Sequence, residues 1–260
     1  MYQAPLQFST LNVYRSALSA HHPKIDGYKV GQHPLVKQLM QGAFNVRPPQ
    51  PRYNDTWDVN VVLEHIVSLG QNENLLLGQL AGKLAVLMGL ICVGRSQELS
   101  SLDPSTMQDK GSVVVFHVAA LTKTRRKGTP PRKLQFVEYP KNETLDVVAC
   151  LKQYLCVTQS LRTTTQQKSC LFLACVKPHK PVAPCTIARW VKNVMAAAGI
   201  DVGKYKPHSV RGASTSKADK FGLSTAQILE RANWSQATTF HKYYHREITD
   251  EFQDKVLSLE

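Results

Sequence analysis

The sequence holds no unbroken apolar stretch long enough to cross a bilayer. Its longest run, "LAVLMGLICVG" at 84–94, falls well short of the roughly 20 residues a spanning helix needs and reads as a buried helix. The start, "MYQAPLQFST", has no basic segment followed by an apolar one, so no secretory signal is expected. The six cysteines, Cys92, Cys150, Cys156, Cys170, Cys175 and Cys185, form no CxxC pair, and no Cys/His set has zinc spacing. That argues against a disulfide framework and against a metal site, and leaves reduced, buried thiols as the expectation. No repeat of solenoid period occurs, and neither a P-loop nor a cluster of metal-binding carboxylates is visible.

Acidic residues are scarce. Asp and Glu number 19 against 32 Lys and Arg, a formal net charge of +13. That excess favours a polyanionic partner, with nucleic acid ahead of an acidic membrane surface. With 43% hydrophobic residues among 260, the chain can bury a real core, in one large domain or one domain plus a smaller one.

Short helical patterns fill residues 8 to 46. The segment "NVRPPQPRYNDTWD" at 45–58 follows, and its three prolines make it a stiff linker. This places a boundary between residues 1–50 and 51–260. Beyond it, "VNVVLEHIVSLG" and "LLLGQLAGKLAVLMGLICV" carry helix-spaced apolar residues closed by glycine. "SVVVFHVAALTKTRRKGTPPRKLQFVEYP" changes character. Its β-branched and aromatic residues flank a Gly-Pro-Pro turn, which predicts a hairpin within a small antiparallel sheet. From Leu145 onward the pattern is helical again. The expected class is α+β, mostly α-helical, with one small antiparallel sheet.

Four separated features carry candidate chemistry. "GRSQELSSLD" holds Arg95 and Glu98, "LTKTRRKG" holds Lys123 at the hairpin tip, "HSVRG" holds His208 and Arg211, and "ANWSQATTFHKYYHR" holds Trp234 with Tyr243 and Tyr244 nine and ten residues later. Taken singly, each has an ordinary structural explanation: a helix cap, a solvated turn, a core aromatic. Their order and spacing are far more specific. Arg, Lys, His-x-x-Arg, Trp, then Tyr resembles the tyrosine recombinases, the phage integrase family, over roughly residues 57–255. The segments "YRSAL", "GQHPLV", "RPPQPRY" and "TWDV" most resemble the recombinases of DIRS-type retrotransposons.

The resemblance implies DNA strand cleavage and rejoining through a 3′-phosphotyrosine link, in the site-specific recombination or integration of a mobile element. Arginine suits the pentacoordinate transition state, being planar, always charged and able to donate two hydrogen bonds at once. Arg95 and Arg211 would clamp the nonbridging oxygens. His208, a helical turn before Arg211, would donate to a phosphate oxygen or move the tyrosine proton. Lys123 would protonate the leaving 5′ oxygen. Trp234 stands where the family has His or Trp, and its indole N–H would reach the phosphate. Glu98 would hold Arg95 or His208. The family's commonest spacing selects Tyr243 as nucleophile, whereas the ending "TFHKYYHR" selects Tyr244. Tyr244 is the expected nucleophile, with Tyr243 the alternative. Since the phosphodiester energy is retained, neither ATP, metal nor cofactor is implied.

Further cations expected to track DNA phosphates are Arg125, Arg126, Lys127, Arg132 and Lys133 around the hairpin, Arg189 and Lys192 on a helix, and Lys204 and Lys206 before "HSVRG". The resemblance also implies double-stranded DNA as partner, a homotetramer on DNA, no membrane association and a nuclear or otherwise intracellular location. Residues 1–50 correspond to part of a helical, SAM-like core-binding domain, and residues 51–260 to the catalytic domain. Two other readings use the same residues: a catalytically weak or inactive DNA-binding protein derived from such an element, and a relaxing activity of the type IB topoisomerase kind. A tyrosine beside two arginines argues against a pure binder, which has no need of it.

Overall fold

The computed structural model describes residues 6–49, 53, 55–118, 128, 130–235, 237 and 240. The chain divides into two compact units, Met1–Arg52 and Tyr53–Glu260. In the first, α1 (Phe8–His21) packs on α2 (Pro34–Val46), and Phe8 meets Phe44 edge-on at 5.3 Å. His33 caps α2 by accepting from Leu35 N, with Pro34 at the first helical position, where its missing N–H costs nothing.

The second unit is built around α4 (Leu77–Cys92). Twelve of its residues are buried, from Leu80 to Cys92, on every face of the helix, and so it occupies the middle of the core. Around it stand α6 (Val147–Thr158), α8 (Pro184–Ala197) and α9 (Ser209–Lys220). Gly82 permits the approach of α8, since a Cβ there would lie 3.1 Å from Val194 Cγ2. α3 (Val59–Ser68) packs on α8 and α9, α5 (Ser96–Ser100) on α8, and α10 (Thr225–Ala232) on α9, while α7 (Thr165–Lys168) is a single capped turn. The sheet is antiparallel in the order β1 (Gln108–Asp109), β2 (Val113–Val118), β3 (Arg132–Val137), with Val115 opposite Gln135 and Val118 opposite Arg132. Phe116 and Phe136 turn inward from β2 and β3 and are fully buried. The expected class, helical with one small antiparallel sheet, is the observed one.

Two expectations change. Not all the thiols are buried: Cys156 and Cys185 are exposed and Cys175 is half-buried, while Cys92, Cys150 and Cys170 are buried. The end of the proline-rich segment is also not linker: Trp57 is 5% exposed and belongs to the core cluster. No helix among the described residues is long and apolar enough to cross a membrane.

Candidate active site

The site begins where α4 stops. Val93 ends the helix in the left-handed region (φ 49°, ψ 36°), a conformation that costs a β-branched residue about 1–3 kcal/mol and persists only when its surroundings enforce it. The chain reverses there, and Arg95 becomes the residue that precedes α5. Glu98, fully buried in the first turn of α5, reaches back: its Oε2 accepts from Arg95 N at 2.7 Å and its Oε1 from Arg95 Nη1 at 3.4 Å. A carboxylate at a helix N-terminus is favoured by the unpaired N–H groups and the dipole.

Glu98 Oε2 also accepts from Arg132 Nη1 at 2.7 Å. The other end of that guanidinium donates from Nη2 to Cys92 O and to Arg231 O, both at 2.7 Å. The last carbonyls of any helix have no partner within it. In α4 they are taken by side chains from three other elements: Leu90 O by Ser214 Oγ at 2.6 Å, Ile91 O by Arg231 Nε at 2.7 Å, and Cys92 O by Arg132. Arg231 continues to β3, where its Nη2 donates to Gln135 O at 3.0 Å. The end of α4 is therefore tied to α9, α10 and β3 at once. Burial pushes the Cys92 thiol there up to about 11, against the opposing pull of Arg132.

Arg211, one turn into α9, is 4% exposed. Its Nη2 donates to Ala232 O at 3.2 Å, and its guanidinium carbon stands 5.3 Å from the centroid of the Trp234 ring. Such a cation–π contact contributes about 0.5–2 kcal/mol according to its desolvation. Trp234 in turn stacks on Phe240 at 6.2 Å. An unbroken chain of contacts thus runs from Arg95 through Glu98, Arg132, the backbone of Arg231 and Ala232, and Arg211 to Trp234. His208 precedes α9, exposed, with the Tyr53 ring 5.8 Å away. Arg211 is buried, whereas the side chain of Arg95 is about one-quarter exposed.

Of the two partners expected for Glu98, Arg95 or His208, the hydrogen bonds come from Arg95, and a further one comes from Arg132. Arg132 was expected on DNA phosphate; its guanidinium is instead spent inside the protein on a carboxylate and two carbonyls. Lys206 is similarly engaged, donating from Nζ to Gly203 O at 2.7 Å and Val202 O at 3.1 Å. Lys204 pairs with Asp55 at 2.6 Å on the surface, and that hydrogen bond holds the Asp55 carboxyl below its usual value. Lys133, Arg189 and Lys192 are exposed. Lys123, Arg125, Arg126, Lys127, Tyr243 and Tyr244 lie outside the described residues. Among the described residues no group of three or more His, Cys, Asp or Glu side chains is placed to hold a metal ion. Sequence reasoning missed Arg231 and Ser214, because a residue that serves distant carbonyls has no local pattern.

No family model and no curated protein matches the sequence. Solved structures do match in fold. The XerH site-specific recombinase bound to palindromic difH substrate, a post-cleavage complex, aligns with TM-score 0.67 at 13% identity over 99% of this chain and 67% of its own. The Tn1549 transposon integrase in complex with circular intermediate DNA aligns with TM-score 0.60 at 13% identity, over 97% and 80%. The XerA recombinase aligns with TM-score 0.54 at 16% identity, over 99% and 86%. The chain has the helical fold, with its small three-stranded sheet, of the tyrosine recombinases and integrases.

Proposed function

We propose that the protein cleaves and rejoins DNA through a 3′-phosphotyrosine intermediate, as the recombinase of a mobile element. One observation carries this reading: the contact chain that joins Arg95 to Arg211 and Trp234, residues from three distant stretches of sequence. A protein that merely coats DNA needs surface lysines; it has no use for a buried arginine braced by a carbonyl and an indole. Matching structures captured with DNA before and after cleavage, those of XerH, agree with this chemistry.

In this reaction Arg95 and Arg211 grip the scissile phosphate and stabilise the charge that grows on its nonbridging oxygens. His208 and Trp234 donate to the same group, and Lys123 supplies the proton to the leaving 5′ oxygen. Tyr244 is the nucleophile, with Tyr243 the alternative. A phenol of ordinary pKa near 10 needs such a cationic setting to attack at neutral pH. The N-terminal unit acts as part of a DNA-clamping module, with Lys133, Arg189 and Lys192 on phosphates. Assembly on DNA is tetrameric, the source is a DIRS-type element, and the site of action is the nucleus.

The test is a nicked suicide duplex carrying the site the protein selects from a random pool. A covalent protein–DNA adduct is expected, lost in Tyr244→Phe and kept in Tyr243→Phe. Binding without any adduct means a DNA-binding protein, and plasmid relaxation without recombinants means a topoisomerase-like activity.

A further inference from the structure

The segment at residues 53 and 55–58 follows the prolines and precedes α3, and in the structure it straps the start of α9. Trp57, nearly fully buried, donates its indole N–H to Ser209 Oγ at 2.9 Å across 152 residues of sequence. Ser209 is the first residue of α9 and His208 its N-cap. The Tyr53 ring lies 5.6 Å from the Tyr205 ring and 5.8 Å from that of His208, and its hydroxyl accepts from Lys206 N at 3.2 Å. Asp55 pairs with Lys204, a surface contact of little strength by itself. Beyond the strap, Asp58 caps α3 by accepting from Asn60 N, and Asn60 Oδ1 accepts from Lys217 Nζ of α9 at 2.5 Å. The strap is thus anchored to the loop at 204–208, to the first turn of α9 and, through α3, to its last turn.

A residue at the end of a loop is positioned by what packs on it, because the backbone there has little regular hydrogen bonding of its own. A buried indole N–H without an acceptor is costly, so the Trp57–Ser209 bond fixes one register of strap against helix. The Tyr53 ring is tilted 39° to the imidazole, within the range of aromatic contact.

We propose that Tyr53 and Trp57 are positioning residues for His208, holding the imidazole at the phosphate-binding centre from the segment that joins the two units in sequence. Neither touches the reacting atoms. The inference rests on the proposed reaction for its consequence but not for its geometry, and the test separates the two.

His208 imidazole resonances are assigned by comparison with His208→Gln and followed in Tyr53→Leu, Tyr53→Phe and Trp57→Phe, each checked for folding by circular dichroism. Tyr53→Leu and Trp57→Phe are expected to move those resonances, and Tyr53→Phe, which keeps the ring, to restore most of the Tyr53→Leu change. On the suicide duplex the first two variants are expected to lose about 10- to 100-fold in adduct rate, as small misplacements do, with DNA affinity within about twofold of the parent. His208 resonances at their parent positions in both Tyr53→Leu and Trp57→Phe overturn the proposal. If the parent protein forms no adduct on any duplex, the enzyme reading fails, and the resonances alone decide whether the strap positions His208.

Discussion

Arg132 and Glu98, 34 residues apart in sequence, meet through Nη1 and Oε2 at 2.7 Å, with 9% and 0% of their side chains exposed. The pair joins the strand that begins at Arg132 to the turn that aims Arg95. Its surroundings explain why it is tolerated at this depth: the guanidinium also reaches Cys92 O and Arg231 O, and the carboxylate also receives Arg95 N. A buried ion pair is sustained only when such additional hydrogen bonds are made.

Removal of one partner should therefore be costly. Arg132→Met takes the nearer cation from a buried carboxylate and the donor from two carbonyls, and is expected to destabilise the fold by about 3–5 kcal/mol in urea unfolding. Glu98→Gln combined with Arg132→Met should cost less than the sum of the single changes. Additive costs would mean that the two side chains do not act as a pair.

Arg211→Lys keeps the charge but gives up the planar fork. Adduct formation on the suicide duplex is expected to fall about 10²- to 10³-fold, and DNA binding at low salt by less than about tenfold. Equal losses in binding and cleavage would show that Arg211 contributes uniform affinity and nothing particular to the transition state.

The buried thiols predict alkaline sensitivity. Burial raises Cys92 from 9.0 to about 11 and Cys150 from 9.0 to about 12. The folded chain keeps protons that the unfolded chain releases above about pH 9, so this stabilisation is complete below that pH and is lost as pH rises through the folded values. Each thiol then contributes a slope of about 1.4 kcal/mol per pH unit. Urea midpoints measured at about pH 8 and about pH 10.5 should fall sharply in the parent, and less in Cys150→Ala. An unchanged midpoint would rule the explanation out.

Lys83 is fully buried in the middle of α4, its Nζ 3.4 Å from Gly70 O. Burial lowers its pKa, against the pull of Cys150 and Glu73. Between that lowered value and the ordinary 10.5 the unfolded chain binds more protons than the folded one, so this residue makes stability rise with pH there. Lys83→Met, of similar length, should stabilise the protein at neutral pH by about 1–2 kcal/mol and abolish that rise. A destabilised variant would mean that the ammonium has stronger partners than the Gly70 carbonyl.

Most helices and the hairpin strands were legible as sequence, because apolar spacing and turn residues act over a few positions. The same is true of the bond from Arg95 N to Glu98, three residues apart, and of His208 one turn before Arg211 on α9. The remaining features depend on contacts that leave no period in the chain. Arg132 looked like another hairpin cation until a carboxylate and two carbonyls enclosed it. Trp57 looked like part of a linker, yet its indole reaches across 152 residues to Ser209. A side chain's partner is chosen by which buried polar groups lack one after packing, and that is settled when α4, α9, α10 and β3 come together, not by the neighbours each residue has in sequence.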